Sequence, residues 1–350
     1  MTSTTANRPA DTTPAQGPAL SIGGLLRRPE AGAFLGLLAV LLFFAAFGGL
    51  TFLKPAGMSS WLNVAANLGI IAIPVGLLMI AGELDISVGA MVPFGAMTVA
   101  VISGHYGLSI WLGIAVTMTF GVTVGLINGY MVIRTAVPSL IVTLGSLFAV
   151  QGIVLGLTVL ITKSTSVALT VQGPAKAIFG DFLFGGQLQV MVLWWLALTA
   201  AYVFFVHLSP KGNWIFAMGG DKVSARNAGI PTDRMTILLF VLSSTSAAFI
   251  GMCQAILYNS AQVAGGQSFI FNSIISVVVG GVLLTGGFGS VVGIFFGTIT
   301  FAIVNQGIYY TDFDRNWSAL IIGVLLLLAV LMNNTFRKMA LSATTKKKGA

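Results

Sequence analysis

Long apolar runs recur along the chain, separated by short segments that contain most of its polar residues. A helix needs about 20 apolar residues to cross the hydrocarbon core of a bilayer. Ten runs of about that length are present, at 31–53, 61–81, 87–103, 108–133, 138–162, 190–208, 236–258, 271–287, 290–310 and 318–334. This pattern predicts an all-α polytopic membrane protein with about ten transmembrane helices.

The composition agrees with a protein that uses lipid as its solvent. Hydrophobic residues make up 56% of the chain and charged residues only 7%, whereas a soluble domain carries about 25% charged residues. The single cysteine, Cys253, has no partner for an internal disulfide and gives no information about the redox compartment. The composition therefore excludes a water-soluble protein with a single hydrophobic core.

The positions of lysine and arginine predict the orientation, because cytoplasmic loops retain positive charge. With ten spans and both termini in the cytoplasm, all but four of the 17 basic residues lie inside. The four outside are Lys54, Lys163, Lys176 and Arg315. We therefore expect a disordered cytoplasmic tail at 1–30, a membrane domain at 31–335 and a basic cytoplasmic tail at 336–350.

The inner loop at 209–234 has the pattern of a short helix in its second half. Asp221 is placed as an N-cap, residues 222–227 can form about two turns, and Gly229 with Pro231 ends them. Such a helix, exposing Ala225, would offer a surface to another protein. A plain charged loop that maintains the positive-inside bias is the alternative. The outer loop at 163–189 suits contact with an extracytoplasmic partner.

Glu83 and Asp85 are the only acidic residues between Glu30 and Asp181. If they lie within the bilayer, residues 82–89 form a broken helix whose backbone lines a cavity. If they lie at the inner surface, they are loop carboxylates that meet Arg134 or Arg226. A catalytic carboxylate pair is not expected, because no other residue supplies a water-activating or leaving-group partner.

Other chemistry is not predicted by the sequence. His105 and His207 lie at opposite predicted faces without further ligands at metal-binding spacing, so we expect no metal and no cofactor. No glycine-rich loop ending in Lys-Ser or Lys-Thr is present, so any ATP must bind to another polypeptide. The basic residues are not interleaved with aromatics, which argues against nucleic-acid binding.

The paired glycines at 280–281 and 286–287 allow either close helix packing or a break at a turn.

Four stretches, taken in order, carry a resemblance to a known family. They are Ala-Gly-Glu-Leu-Asp-Ile-Ser-Val-Gly at 81–89, Gly-Leu-Ile-Asn-Gly at 125–129 with Val-Pro-Ser-Leu-Ile-Val-Thr-Leu-Gly at 137–145, Phe-Ala-Met-Gly-Gly-Asp at 216–221 with Ala-Arg-Asn-Ala-Gly-Ile at 225–230, and Thr-Gly-Gly-Phe-Gly-Ser at 285–290. Over nearly all of 31–335 the chain resembles the permease subunits of ribose- and xylose-type ATP-binding cassette importers. Two departures, Glu83 in place of a glycine and Ile270 with Asn272 in place of an acidic pair, leave the sugar undetermined.

The resemblance implies a bacterial inner-membrane permease that is not itself an enzyme. Its partners would be cytoplasmic ATP-binding subunits, a periplasmic sugar-binding protein, membrane lipid and a second permease copy, most simply as a homodimer. The ATPase would dock on the loop matching 216–230. The residues assigned to that coupling loop are Gly219, Gly220, Asp221, Ala225, Arg226, Gly229 and Ile230.

A neutral sugar needs hydrogen-bonding side chains along its path but no fixed charge. The residues predicted to line the translocation pathway are Asn67, Glu83, Asp85, Asn128, Asn272 and Asn305. We expect alternating access, driven by closure of the ATPase subunits. One alternative is a proton-coupled secondary transporter that uses Glu83 or Asp85, and another is a membrane-embedded enzyme that uses the same carboxylates.

Overall fold

The computed structural model describes residues 29–135, 137–312 and 314–317, together with positions 320, 323, 324, 327, 328 and 331. The described part of the chain is mostly helical. Its α-helices are α1 (Pro29–Phe47), α2 (Gly49–Leu53), α3 (Pro55–Ile80), α4 (Val88–Ala100), α5 (Ile110–Thr135), α6 (Ser139–Thr162), α7 (Pro174–Phe179), α8 (Met191–His207), α9 (Pro210–Gly220), α10 (Lys222–Asn227), α11 (Thr232–Tyr258), α12 (Gln267–Val279) and α13 (Val291–Gly307). A π-helix (Val101–His105) continues α4, and two 3-10 turns follow α13 at Ile308–Tyr310 and Arg315–Trp317.

Seven helical segments of the described chain are long and apolar enough to cross a membrane, or eight if the bent pair α8 and α9 forms one span. The bend between α8 and α9 is 75°, and α12 is a shorter apolar helix. Each of the first nine predicted segments overlaps one of these helices. The tenth, 318–334, falls mostly outside the described residues, so the total of ten stays a prediction.

Two predicted segments have wrong ends. The first, 31–53, is interrupted at Gly48, between α1 and α2. The apolar run at 271–287 was expected to be helical throughout, but α12 ends at Val279. Gly281, Gly286 and Gly287 then adopt positive φ angles of 92°, 82° and 74°. L-residues with side chains rarely adopt this conformation, so these glycines turn the chain before α13 begins.

Helices α3 and α11 form the centre of the bundle. Every residue of α3 from Leu68 to Ile80 is buried, as expected for a helix that is apolar on all sides and surrounded by others. In contrast, α5 and α6 leave large apolar side chains such as Leu126, Phe148 and Leu160 exposed. Such side chains suit contact with lipid acyl chains.

Small residues let the central helices approach closely. A Cβ added at Gly251 of α11 would lie 1.8 Å from the carbonyl oxygen of Val92, and one added at Gly69 of α3 would lie 2.1 Å from Nε1 of Trp195. Gly280 and Gly293 bring α12 and α13 together in the same way. Close packing through glycine is typical of membrane helices, so both roles considered for the paired glycines occur, at different positions.

The strands are short and lie in connecting segments. β1 (Ser166–Ala168) pairs antiparallel with β4 (Ser260–Gln262), in a register that places Val167 opposite Ala261. β2 (Phe182–Leu183) pairs antiparallel with β3 (Leu188–Gln189). The segment 163–189, predicted to be an outer loop, is therefore an ordered layer of β1, α7 and the β2–β3 hairpin.

Lys176 fixes this layer to the core. Its Nζ donates to the carbonyl oxygens of Ile256 and Leu257, at 2.6 and 2.9 Å, where α11 ends. Cations at a helix C-terminus are favourable, and hydrogen bonds from charged groups are stronger than neutral ones. We expect K176M to lower the free energy of unfolding by about 1 kcal/mol, measured by thermal unfolding in detergent. The exposed Lys163 provides the control, because K163M should change the stability little; equal effects of the two variants would contradict the assignment.

Candidate translocation and coupling sites

The short helix predicted within 209–234 is present as α10. Asp221 caps it: its Oδ1 accepts hydrogen bonds from the backbone N–H groups of Val223 and Ser224, at 2.9 and 3.1 Å. Ser224 Oγ donates to the other carboxylate oxygen at 2.7 Å. After the helix, Gly229 adopts a φ of 85°, which ends it as predicted.

The exposed face of α10 differs from the expected one. Ala225 is 4% exposed, so the expectation that it faces outward is wrong, whereas Val223 is 69% exposed. The backbone N–H of Ile230 donates to the carbonyl oxygen of Ala225 at 3.1 Å, which folds the following turn against the helix. Ala225 and Ile230 therefore hold α10 on the bundle, and Val223 is available to a partner.

The ion pairs around α10 also differ from those expected for the carboxylates. Glu83 pairs with Lys222, at 2.5 Å between Oε1 and Nζ, and not with either arginine. Arg226 pairs with Asp233 and donates from Nε to Thr232 Oγ1 at 3.1 Å. These contacts tie the two ends of α10 to different elements: Lys222 to the segment after α3, and Arg226 to the first turn of α11.

Acidification should loosen α10. The pKa of Asp221 is below its ordinary value because the carboxylate accepts hydrogen bonds from the Ser224 hydroxyl and from the N–H groups of Ser224 and Val223. A depressed folded-state pKa gives stabilisation that is present above the ordinary pKa and is lost as the pH falls through the folded-state pKa. Amide exchange in α10, corrected for its intrinsic pH dependence, should therefore rise below about pH 4. In D221A it should be fast already at neutral pH; a pH-independent rate in the wild type would contradict this.

The segment between α3 and α4, residues 81–87, is non-helical and lies partly inside the bundle. Asp85 is 1% exposed, and its Oδ1 accepts from the backbone N–H and the hydroxyl of Ser87, at 2.9 and 2.6 Å. Asn128 donates from Nδ2 to Ser87 Oγ at 3.0 Å and accepts from Ser146 Oγ at 2.5 Å. Asp85 and Asn128 therefore belong to one buried network that joins this segment to α5 and α6.

A separate cleft of about 200 Å³ is lined by side-chain amides. Its residues come from α3, the end of β3, α11, α12 and α13; they are Asn63, Val64, Asn67, Leu68, Gln189, Gln254, Tyr258, Phe269, Asn272, Phe301 and Asn305. None of these lining residues is an acid, a lysine, an arginine or a histidine. A cavity of about 280 Å³ shares Gln254 and Tyr258 with the cleft and extends along 260–266.

The amides of the cleft are joined by hydrogen bonds. Asn67 Nδ2 donates to Gln189 Oε1 at 2.7 Å, and Gln254 Nε2 donates to Asn67 Oδ1 at 3.4 Å. The side chain of Asn272 has no hydrogen-bond partner within the described part of the chain, although it is only partly exposed. The Asn272 amide can therefore offer its donors and its acceptor to a neutral ligand, next to amides that hydrogen bonds already hold in place.

Three of the six predicted pathway residues therefore converge in one cleft: Asn67, Asn272 and Asn305. The structure places the other three elsewhere, with Asp85 and Asn128 in the buried network and Glu83 beside α10. The prediction did not include four polar residues of the cleft, namely Asn63, Gln189, Gln254 and Tyr258. Asn63 and Asn67 are four residues apart on one helix, a spacing that places them on the same face.

Among the described residues, no three His, Cys, Asp or Glu side chains are grouped closely enough to hold a metal ion. Cys253 is buried within α11. The cleft offers hydrogen-bond donors and acceptors, and α10 presents the exposed Val223 side chain.

Comparison with known proteins identifies the family to which the chain belongs. The inner membrane ABC transporter permease YjfF of Escherichia coli K12 is 29% identical over 272 residues, which cover 76% of this chain and 80% of that protein. The fructose import permease FrcC of Rhizobium meliloti is 28% identical, covering 89% and 87%. The xylose transport permease XylH of Escherichia coli K12 is 26% identical, covering 89% and 96%.

These similarities confirm the resemblance to sugar importer permeases that the four motifs indicated. No solved structure matches the chain significantly. The family described as "branched-chain amino acid transport system / permease component" matches residues 57–330, which is most of the chain. This protein therefore belongs to that family of transport permeases and is a multi-pass protein of the inner membrane.

Proposed function

We propose that the protein is the permease subunit of an ATP-driven importer and moves a monosaccharide or a related polyol across the bacterial inner membrane. The observation that carries the proposal is the amide cleft, which offers hydrogen-bond donors and acceptors without any fixed charge. Tyr258, Phe269 and Phe301 add aromatic surface to the same cleft. Hydroxyl groups need such partners, and sugar rings pack against aromatic faces.

The alternative substrate within the family is an amino acid. A zwitterion brings a carboxylate and an ammonium group, and burying these groups without charged or strongly polar partners is costly. The cleft contains no charged side chain among its lining residues, which favours a neutral substrate. The names of two relatives, a fructose permease and a xylose permease, agree with this choice.

The energy would come from a separate ATPase that docks on α10. Val223 is exposed there, and the chain contains no phosphate-binding loop of its own. A periplasmic binding protein would deliver the sugar, and a second copy of the chain would complete the pore. Ten spans with both tails, 1–30 and 336–350, in the cytoplasm remain our prediction for the topology.

Coupling to a proton gradient is less well supported. Neither Glu83 nor Asp85 lines the amide cleft, since Glu83 is paired with Lys222 and Asp85 is bonded to Ser87. Protonation of either carboxylate would therefore act at a distance from the bound substrate. Alternating access driven by movement of α10 requires no titrating group in the cleft.

Reconstitution tests the proposal. Proteoliposomes containing the permease, its ATPase and its binding protein should take up labelled D-xylose or D-fructose only when ATP is supplied, and an ionophore should not abolish uptake. L-leucine should be transported poorly. Uptake that needs a proton gradient and no ATPase would contradict the proposal, and so would a clear preference for L-leucine.

A further inference from the structure

Three segments meet at the end of α3, where glycines and the carbonyl group of Ile80 make the contacts. We call Gly82, Gly219, Gly286 and Gly287 the glycine joint. A Cβ added at Gly219 of α9 would lie 1.7 Å from the carbonyl oxygen of Ile80 and 2.4 Å from the backbone N of Gly287. The N–H of Gly287 in turn donates to the same Ile80 carbonyl oxygen at 2.8 Å. The joint therefore brings three backbones into direct contact.

The Glu83–Lys222 ion pair lies directly beside this joint. Lys222 is the first residue of α10, and Glu83 follows Gly82 in the segment after α3. The Glu83 side chain is only 11% exposed and the Lys222 side chain 34%, so solvent screens the pair less than it screens a surface pair. Glycine contacts can slide, because they contain no interlocking side chains, whereas a charge-assisted hydrogen bond resists separation.

The far side of the 81–87 segment is bonded to two other helices. The backbone N–H of Leu84 donates to Ser139 Oγ at 3.0 Å, and that of Ile86 donates to Thr143 Oγ1 at 3.3 Å. Both hydroxyls belong to α6, and the Asp85 network reaches α5 through Asn128. Movement of Lys222 can therefore be transmitted through Glu83 and the hydrogen bonds of the 81–87 segment to α5 and α6.

A displacement at this end also reaches the amide cleft. Ile80 and Asn67 lie on the same buried helix, α3, about 20 Å apart at 1.5 Å per residue. Because α3 is one helix from Pro55 to Ile80 and is closely packed by its neighbours, a displacement of its end can be transmitted along it, past Pro74, towards Asn67. The glycine joint and the ion pair therefore lie between the docking helix and the cleft.

We propose that Glu83 and Lys222 are positioning residues that form a coupling strut: their ion pair carries the movement of α10 into the 81–87 segment and α3. The inference rests on the proposed function, because it assigns the strut to ATP-driven transport. Without the pair, the ATPase would still dock and hydrolyse ATP, but the glycine joint would slide and less sugar would move per ATP.

The test uses the reconstituted complex with D-xylose or D-fructose as probe. We expect E83Q and K222Q each to lower the ratio of sugar transported to ATP hydrolysed at least fivefold, with the ATPase copurifying as in the wild type. The exchanged pair, E83K with K222E, should restore the ratio to within about threefold of wild type. K211Q, which removes an exposed positive charge from α9, should leave the ratio unchanged.

Each outcome is decisive. Wild-type coupling ratios in E83Q and K222Q would overturn the strut, and so would an exchanged pair no better than the single variants. Loss of the copurifying ATPase in E83Q or K222Q would show that the pair serves docking and would also overturn it. If the wild-type complex itself shows no ATP-dependent uptake, the proposed function fails instead, so the two failures are distinguishable.

Discussion

G219A is expected to abolish transport and destabilise the protein, although alanine favours a helix over glycine by about 1 kcal/mol. The added Cβ would lie 1.7 Å from the Ile80 carbonyl oxygen and 2.4 Å from the Gly287 backbone N. Backbone atoms cannot move away as the end of a flexible side chain can, so α9 or the 283–290 turn must shift. Overpacking of this kind costs about 1–3 kcal/mol, and we expect the upper end.

The adjacent glycine supplies a matched control. Gly220 is exposed, and a Cβ added there would have no atom within 4 Å. Although Gly220 belongs to the predicted coupling loop, G220A adds only a methyl group at an open position, so it should keep wild-type transport and equal or slightly greater thermal stability in detergent. The two substitutions are the same chemical change at neighbouring positions, so any difference between them reports the difference in surroundings. We expect G219A to lower the thermal stability and G220A to leave it equal or slightly higher. Equal stability and equal uptake in G219A and G220A would show that the contact of α9 with Ile80 and Gly287 is not required.

N272L should lower uptake at limiting substrate by about tenfold, the second largest effect we expect. Each hydrogen bond to a neutral group contributes about 0.5–1.5 kcal/mol, and leucine also adds apolar bulk to the cleft. The Asn272 side chain makes no hydrogen bond within the described part of the chain, so its replacement leaves no protein partner unsatisfied. The protein should therefore stay folded while substrate binding weakens.

The measurement is initial uptake over a range of sugar concentrations, together with thermal unfolding. N213L removes an exposed amide from α9, far from the cleft residues in sequence, and should leave uptake unchanged. A matching loss in N213L would point to a general effect of adding leucine. Wild-type uptake in N272L would remove Asn272 from the pathway.

The features that the sequence predicted well are local. The N-cap at Asp221 and the stop at Gly229 lie within nine residues of each other, so α10 could be recognised from consecutive positions. The apolar runs were likewise sufficient to predict the helices, because each span satisfies its own backbone hydrogen bonds. The prediction that Ala225 faces outward was wrong, because the burial of a two-turn helix depends on its packing against the rest of the bundle.

The features that it missed depend on distant contacts. Glu83 and Lys222 are 139 positions apart, and Asn67 and Gln189 are 122 apart. No periodicity in either segment indicates such a pairing. The end of α12 was also missed, because hydropathy does not separate an apolar helix from an apolar turn, and the turn is set by glycines that contact Gly82 and Gly219.

The proposed function requires α10 to be the cytoplasmic docking site of the ATPase. Cys253 is the only native cysteine and is buried, so a V223C variant carries one exposed thiol. A membrane-impermeant maleimide should fail to label V223C in intact cells, label it in inverted vesicles, and label it several-fold less when the ATPase subunit is bound. Labelling from outside intact cells, or labelling that the bound ATPase does not reduce, would contradict the account.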